Sequence, residues 1–287
     1  MKRAFFPGCS LQATGREYGI STRAVARHLD LELIEIPDWN CCGASSAHST
    51  DELLALALPA RNLALAEKMG LDIVAPCAGC FNRLRAAEVA LRKLAWQTRV
   101  EQLLGMPVTG KITTCNLLDF LVNQVGPETI RRKVIRPLRG LRVVCYYGCL
   151  LVRPRALTGF DDPENPQSMD RLMLDLGATV IDWPFKTECC GGNLAIPCTD
   201  LTLKMSGQLL RRAQEAGAEA IVTACPLCML NLDARQEEME KFGMNLPLPI
   251  FYFTELMGLS MGLAPESLGL QCHFTDPQKL LQAKLLL

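Results

Sequence analysis

Short apolar runs alternate along this chain with longer stretches in which apolar residues return every three or four positions. The runs at residues 3–7, 31–36, 72–75, 141–146, 179–181 and 220–223 are apolar at successive positions and end at turn-forming residues. That pattern predicts strands buried on both faces, and so parallel ones. Residues 18–29, 52–69, 78–104, 169–176, 203–216 and 227–242 carry the helical period instead. Residues 117–125 carry one more such pattern, and residues 251–262 and 278–287 read as C-terminal helices that pack back on the core. Strand and helix in alternation predict an α/β fold with a parallel sheet.

The joining stretch, residues 105–140, contains Gly126-Pro127 and the basic run Arg131-Arg132-Lys133. We place a domain boundary there, with residues 1–133 in one domain and 134–287 in the other. A chain of 287 residues can bury two cores of ordinary size. Residues 154–168 are polar and rich in proline, which reads as a surface loop.

Charge excludes more than it suggests. Thirty basic residues balance thirty acidic ones, without a long basic run, so nucleic-acid binding has no electrostatic support. No apolar stretch approaches the roughly 20 residues that span a bilayer. The N-terminus is basic but lacks the apolar segment of a secretory signal, so a reducing cytoplasm is the expected compartment. Fourteen cysteines there point to metal or redox chemistry before disulfides.

Ten of the fourteen fall into two matching sets. The first is Cys9, Cys41, Cys42, Cys77 and Cys80; the second is Cys149, Cys189, Cys190, Cys225 and Cys228. Four members of each set are related by one offset of 148 residues, and the leading cysteines by 140. The second half therefore carries eight extra residues before its Cys-Cys-Gly, within the reach of the 154–168 loop. Repetition at a fixed spacing indicates a duplicated thiolate site. Each site follows a predicted strand end, where open α/β sheets carry their chemistry.

Three metal readings suit such sites. Zinc takes four ligands, and Cys77, Cys80, Cys225 and Cys228 would suffice, leaving six cysteines unused. A cubane [4Fe–4S] cluster also takes four, so five per half is one too many. Either one cysteine of each adjacent pair is free and redox-active, or the cluster is not a cube. The chain lacks the C-x2-C-x2-C-x3-C-P run of ferredoxins and any Gly-x-Gly-x-x-Gly dinucleotide fingerprint, so electrons must come from outside.

The other candidates have weaker signals. Gly8, Gly43, Gly148, Gly191 and Gly192 flank the cysteines and let backbone N–H groups approach a cluster. Cys145 reads as a buried thiol, and Cys115, Cys198 and Cys272 as small core residues. His28 reads as a surface residue. His48, five residues after Gly43, is a candidate proton donor or a solvated side chain. His273 has no supporting motif. Arg153 and Lys186 are candidate anchors for an anionic substrate, against the blander reading of solvated charges.

The double pattern, with Phe6-Pro7-Gly8-Cys9, Asn40-Cys41-Cys42-Gly43, Tyr147-Gly148-Cys149, Cys189-Cys190-Gly191 and Cys225-Pro226-Leu227-Cys228, resembles the HdrB component of heterodisulfide reductase, of the duplicated CCG-domain family. The resemblance covers nearly the whole chain. It implies two pseudo-symmetric cysteine-rich domains, each a small, mostly parallel sheet flanked by helices. It implies a non-cubane [4Fe–4S] cluster in each half, held by that half's five cysteines. It implies that a disulfide is reduced, or formed, between the clusters, with Cys41, Cys42, Cys189 and Cys190 facing it. The implied partners are a ferredoxin-like iron–sulfur subunit and a flavin-containing subunit. An electron-relay component of a dehydrogenase complex and a zinc-stabilised scaffold are the alternatives.

Overall fold

The structure, a computed structural model, describes residues 1–44, 47–244 and 247–287. Among the described residues, eight strands form two four-stranded sheets. In the first, β1 (Lys2–Phe5), β2 (Glu32–Glu35), β3 (Ile73–Ala75) and β4 (Thr114–Asn116) lie in the order β2-β1-β3-β4. In the second, β5 (Arg142–Tyr146), β6 (Thr179–Val180), β7 (Ala220–Thr223) and β8 (Ile250–Tyr252) repeat it as β6-β5-β7-β8. Every pairing is parallel. Of the central strands, β3 and β7 are wholly buried and β5 buried beyond Arg142, as their apolar sequence requires, while β1 is buried at Ala4 and Phe5.

All six predicted strands form. The helix predicted over residues 52–69 forms as Glu52–Met69, capped by Asp51, whose carboxylate accepts from Leu54 N at 2.7 Å. Gly70, at φ +65°, closes it in the left-handed conformation.

Three expectations need correction. Residues 78–104 form two helices, Ala78–Leu91 and Leu94–Leu104, because Lys93 is extended and the second helix turns back against Glu52–Met69. Helix Pro226–Leu232 stops ten residues early. There Asp233 turns its carboxylate to Phe274 N and Thr275 N, at 2.8 and 3.1 Å. Residues 251–262 begin inside β8 before helix Phe253–Ser260 starts. The sequence pattern does not predict β4 and β8: β4, Thr-Cys-Asn, has no apolar run, and β8 overlaps the stretch read as the helix 251–262.

The halves are packed together. Helix Arg16–His28 lies on helix Phe253–Ser260, and Ser21 and Thr254 share a buried hydrogen bond of 2.7 Å. Tyr18 stacks flat on Tyr252, with ring centroids 4.1 Å apart, and donates to Ala224 O at 3.2 Å. One apolar core runs through both halves and a second lies within the first half. The carboxyl ends of β1, β3, β5 and β7 lead directly into the cysteine turns.

Candidate metal centres

Each half builds its site from three turns. Strand β1 ends at Phe5, and Pro7-Gly8-Cys9 follows; β5 ends at Tyr146, and Tyr147-Gly148-Cys149 follows. Gly8 and Gly148 both have φ +66°. A Cβ added at Gly8 would lie 2.8 Å from Cys80 Sγ, and one at Gly148 would lie 2.9 Å from Cys228 Sγ. Only glycine permits both this backbone and this approach to sulfur.

The second turn places each CxxC on a helix start. Cys77 and Cys225 are extended N-cap residues, and Cys80 and Cys228 lie one turn inside, on the same face. The Cys-Cys-Gly turn completes the site. Cys42 Sγ is 3.1 Å from Cys80 Sγ, and Cys190 Sγ is 3.6 Å from Cys228 Sγ. Gly43 N donates to Cys41 Sγ and Gly191 N to Cys189 Sγ, both at 3.4 Å.

Ionisation of these thiols reveals further neighbours. Cys41 pulls Cys42 down to about 4, and Cys42 in turn pushes Cys41 up. Cys149 pulls Cys189 down to about 6, while Cys189 pushes Cys149 up. The Cys225 thiol is the largest influence on Cys77 and pushes it up. Within each pair one thiol gives its proton up more easily because the other keeps one, so the titration belongs to the pair. The Cys77–Cys225 contact joins the two sites.

In the second half all five cysteines line one cavity of about 240 Å³. Tyr146, Leu150, Leu194 and Leu227 give it apolar walls, and Ala78 closes it from the first half. Five convergent thiols, glycines that leave room beside sulfur and amide N–H groups aimed at thiolates are the donor chemistry that an iron–sulfur cluster uses. The residues therefore fit such a group. Among the described residues, no three His, Cys, Asp or Glu side chains converge as ligands of a single metal ion.

The Cys-Cys-Gly loops meet across the boundary between the halves. Asn193 donates to Ala44 O at 3.2 Å. A Cβ on Gly79 would lie 3.5 Å from Ala44 and 3.8 Å from Leu227. The exposed cysteines of the two sets are Cys9, Cys41 and Cys189.

The cysteine-rich CCG domain matches residues 3–85 and again 143–233. The chain belongs to this family. A CCG relative, the 8-methylmenaquinol:fumarate reductase membrane anchor subunit of Wolinella succinogenes, is 35% identical over 96% of this chain and 98% of its own. A component of the ferredoxin:CoB-CoM heterodisulfide reductase of Methanosarcina mazei is 32% identical over 94% of this chain and 92% of its own. A hypothetical protein from Helicobacter pylori shares the fold, with a TM-score of 0.75 at 13% identity. It aligns with 96% of this chain, which spans 52% of that longer protein. No helix among the described residues is long and apolar enough to cross a membrane.

Outside the two CCG sets, several expected roles change. Lys186 is buried, not presented to a substrate: its ammonium lies 2.8 Å from Asp170, which also accepts from Tyr147 Oη at 2.7 Å. Its carbonyl accepts from Tyr147 N and Gly148 N and so holds the turn before Cys149. Arg153 pins the inserted loop, reaching Glu164 at 2.6 Å and Pro163 O at 2.9 Å. Cys145 and Cys115 are buried, as expected, but Cys198 is exposed and Cys272 half-buried. His48 is exposed and His28 half-buried.

Three supporting residues are not evident from the sequence pattern. Ser206 Oγ and Asn231 Nδ2 both donate to Cys190 O, at 2.9 and 3.2 Å, and fix the second Cys-Cys-Gly turn. Tyr146 Oη donates to Glu188 O at 2.6 Å. Asn231 had a legible signal, since it lies one helical turn beyond Cys228 on the same face.

Proposed function

We propose that this CCG protein is the iron–sulfur subunit of a heterodisulfide-reductase-type complex, with one non-cubane [4Fe–4S] cluster in each half. Cys9, Cys41, Cys42, Cys77 and Cys80 would hold the first, and Cys149, Cys189, Cys190, Cys225 and Cys228 the second. The observation that carries the reading is the single cavity lined by all five second-half cysteines, beside a first-half set that repeats their turns. When bound, such clusters supply one electron at a time, and a disulfide needs two.

The chain's own residues shape that chemistry. Gly43 N and Gly191 N donate to thiolates, and hydrogen bonds to sulfur raise a cluster's reduction potential. Leu150, Leu194 and Leu227 keep water from the second site. Cys41 and Cys189 stand at the solvent side, where a small disulfide would approach both halves. Cys42 and Cys190 anchor each turn from below. Electrons would arrive from a ferredoxin-like iron–sulfur subunit and a flavin-containing subunit in the cytoplasm, because the chain has neither fingerprint of its own.

A second reading is favoured by the full-length similarity to a fumarate reductase component. Here the same clusters would relay electrons within a dehydrogenase complex without handling a disulfide. Anaerobic reconstitution tests the common part: about eight irons and eight sulfides per chain are expected, against one or two zincs. Mixing the reduced protein with 2-hydroxyethyl disulfide and trapping thiols separates the two readings. Stoichiometric thiol release supports cleavage. Oxidation of the clusters by a quinone with no thiol release from the disulfide leaves the relay.

A further inference from the structure

Where the halves meet, a group of ionisable side chains is buried. Glu17 comes from helix Arg16–His28 of the first half. Asp233, Glu255 and His273 come from the second. The side chains of Glu255 and His273 have no exposed surface, and their Oε1 and Nε2 atoms are 2.9 Å apart. The second oxygen of Glu255 accepts from Tyr252 N at 2.8 Å. The other ring nitrogen of His273, Nδ1, is buried without a partner among the described residues, and so is the hydroxyl of Tyr252. A buried polar atom without a partner is costly, so its retention asks for an explanation.

The position of the group supplies one. Tyr252, stacked on Tyr18, stands between it and the second thiolate set. A Cβ on Gly15 would touch both Tyr252 Oη, at 3.1 Å, and Pro226 Cβ, at 3.0 Å. The hydroxyl therefore sits beside the residue that follows Cys225. Tyr18 Oη bonds the carbonyl of Ala224, which precedes it. On the far side, Asp233 lines a cavity of about 230 Å³ that opens to solvent past Gln236, Glu237 and Thr275. The group thus extends from Asp233, beside the solvent-open cavity and within electrostatic reach of His273, to the His273–Glu255 pair at the Tyr252 backbone. Of the other charged residues of the flanking elements, Arg16 and Glu266 are exposed and Arg235 is half-buried.

We propose that Glu17, Asp233, Glu255 and His273 form a buried proton-holding site, which takes up one proton when the second-half iron–sulfur site accepts one electron. The proposal rests on the cluster reading above. One electron from an external one-electron donor and one proton from solvent enter together. The added negative charge at the thiolate set is thereby balanced by neutralising one carboxylate. Burial already pushes Glu17 up to about 7 and raises Asp233 and Glu255, so small changes in nearby charge move a proton near neutral pH. Disulfide reduction consumes two protons with its two electrons, which gives such a store a use.

The test is a potentiometric titration of the iron-loaded chain, followed by electron paramagnetic resonance, between pH 6 and 9. One of the two cluster potentials should fall by up to about 59 mV per pH unit, the value for a tenfold change per unit in a one-electron couple. The slope should be lost in Glu17→Gln and Glu255→Gln, each of which keeps shape but cannot release the proton. A wild-type protein with two pH-independent potentials overturns the proposal, whatever the variants do. So does a slope that survives in both variants. A chain that binds no iron overturns the cluster reading too; iron-loaded protein with flat potentials overturns this inference alone.

Discussion

Asn193 donates its side-chain amide to the carbonyl of Ala44, 3.2 Å away, and ties one Cys-Cys-Gly loop to the other. Asn193 follows the second Cys-Cys-Gly-Gly, and Ala44 follows the first Cys-Cys-Gly. The two turns that the repeat relates in sequence are therefore neighbours in space. A site that spans both halves is possible only because of this closeness.

Cys41→Ser and Cys189→Ser should each remove about half of the reconstituted iron and leave the other half bound. On the proposed assignment each site uses its own five sulfurs, so the two should load separately. Iron and acid-labile sulfide assays on the two variants read this directly. Loss of all iron from either folded variant would mean that ligands are shared through the Cys77–Cys225 contact.

Gly8→Ala and Gly70→Ala separate a backbone cost from a site cost. Both glycines are left-handed, at φ +66° and +65°, so each alanine costs roughly 1–2 kcal/mol in that conformation. Nothing lies within 4 Å of a Cβ at Gly70, whereas one at Gly8 would press on Cys80 Sγ. Urea midpoints should fall in both, but iron content should fall only in Gly8→Ala. Full loading of Gly8→Ala would show that the sulfur tolerates the displacement.

His273 should make stability depend on pH. Burial alone would lower its pKa, but Glu255 more than offsets this and holds it up at about 9, above the ordinary histidine value of 6.5. A histidine raised in the folded state stabilises fully below about pH 6.5, and that contribution is lost as pH rises through about 9. Its size is on the order of 3 kcal/mol. Glu17, also raised, changes stability in the same sense between its unfolded value of 4.5 and about 7. Urea unfolding of wild type and His273→Gln should therefore differ most near pH 6.5 and converge by pH 10. A constant gap across that range would contradict the assignment.

Lys186→Met should be severely destabilising, by about 3–5 kcal/mol, because it leaves Asp170 buried and unpaired. The double variant Lys186→Met, Asp170→Leu should recover part of that loss. If the single change costs under about 1 kcal/mol, the pair is not the anchor of the Gly148 turn that its hydrogen bonds indicate.

Much of the candidate site was legible because cysteines are recognised by residue type and spacing. The ten cysteines repeat at nearly one offset, so they stand out in the chain as two sets. The six strands and the Glu52–Met69 helix were legible for a similar reason, since burial on one or two faces imposes a period. Strands β4 and β8 were not, because β4, Thr-Cys-Asn, carries no apolar run and β8 merges with the apolar stretch that reads as the helix 251–262.

The sequence by itself determined the duplication, the parallel α/β halves and the two matching sets of cysteines. Only the tertiary structure decided that Cys77 meets Cys225, that Lys186 is sealed against Asp170 and that His273 pairs with Glu255. These contacts join residues 148, 16 and 18 positions apart. Each depends on how helices lie on sheets and on how one half lies on the other. No local period encodes that. It is set by the shape of the cores, through Tyr18 against Tyr252 and Ser21 against Thr254, where the two halves exclude water together.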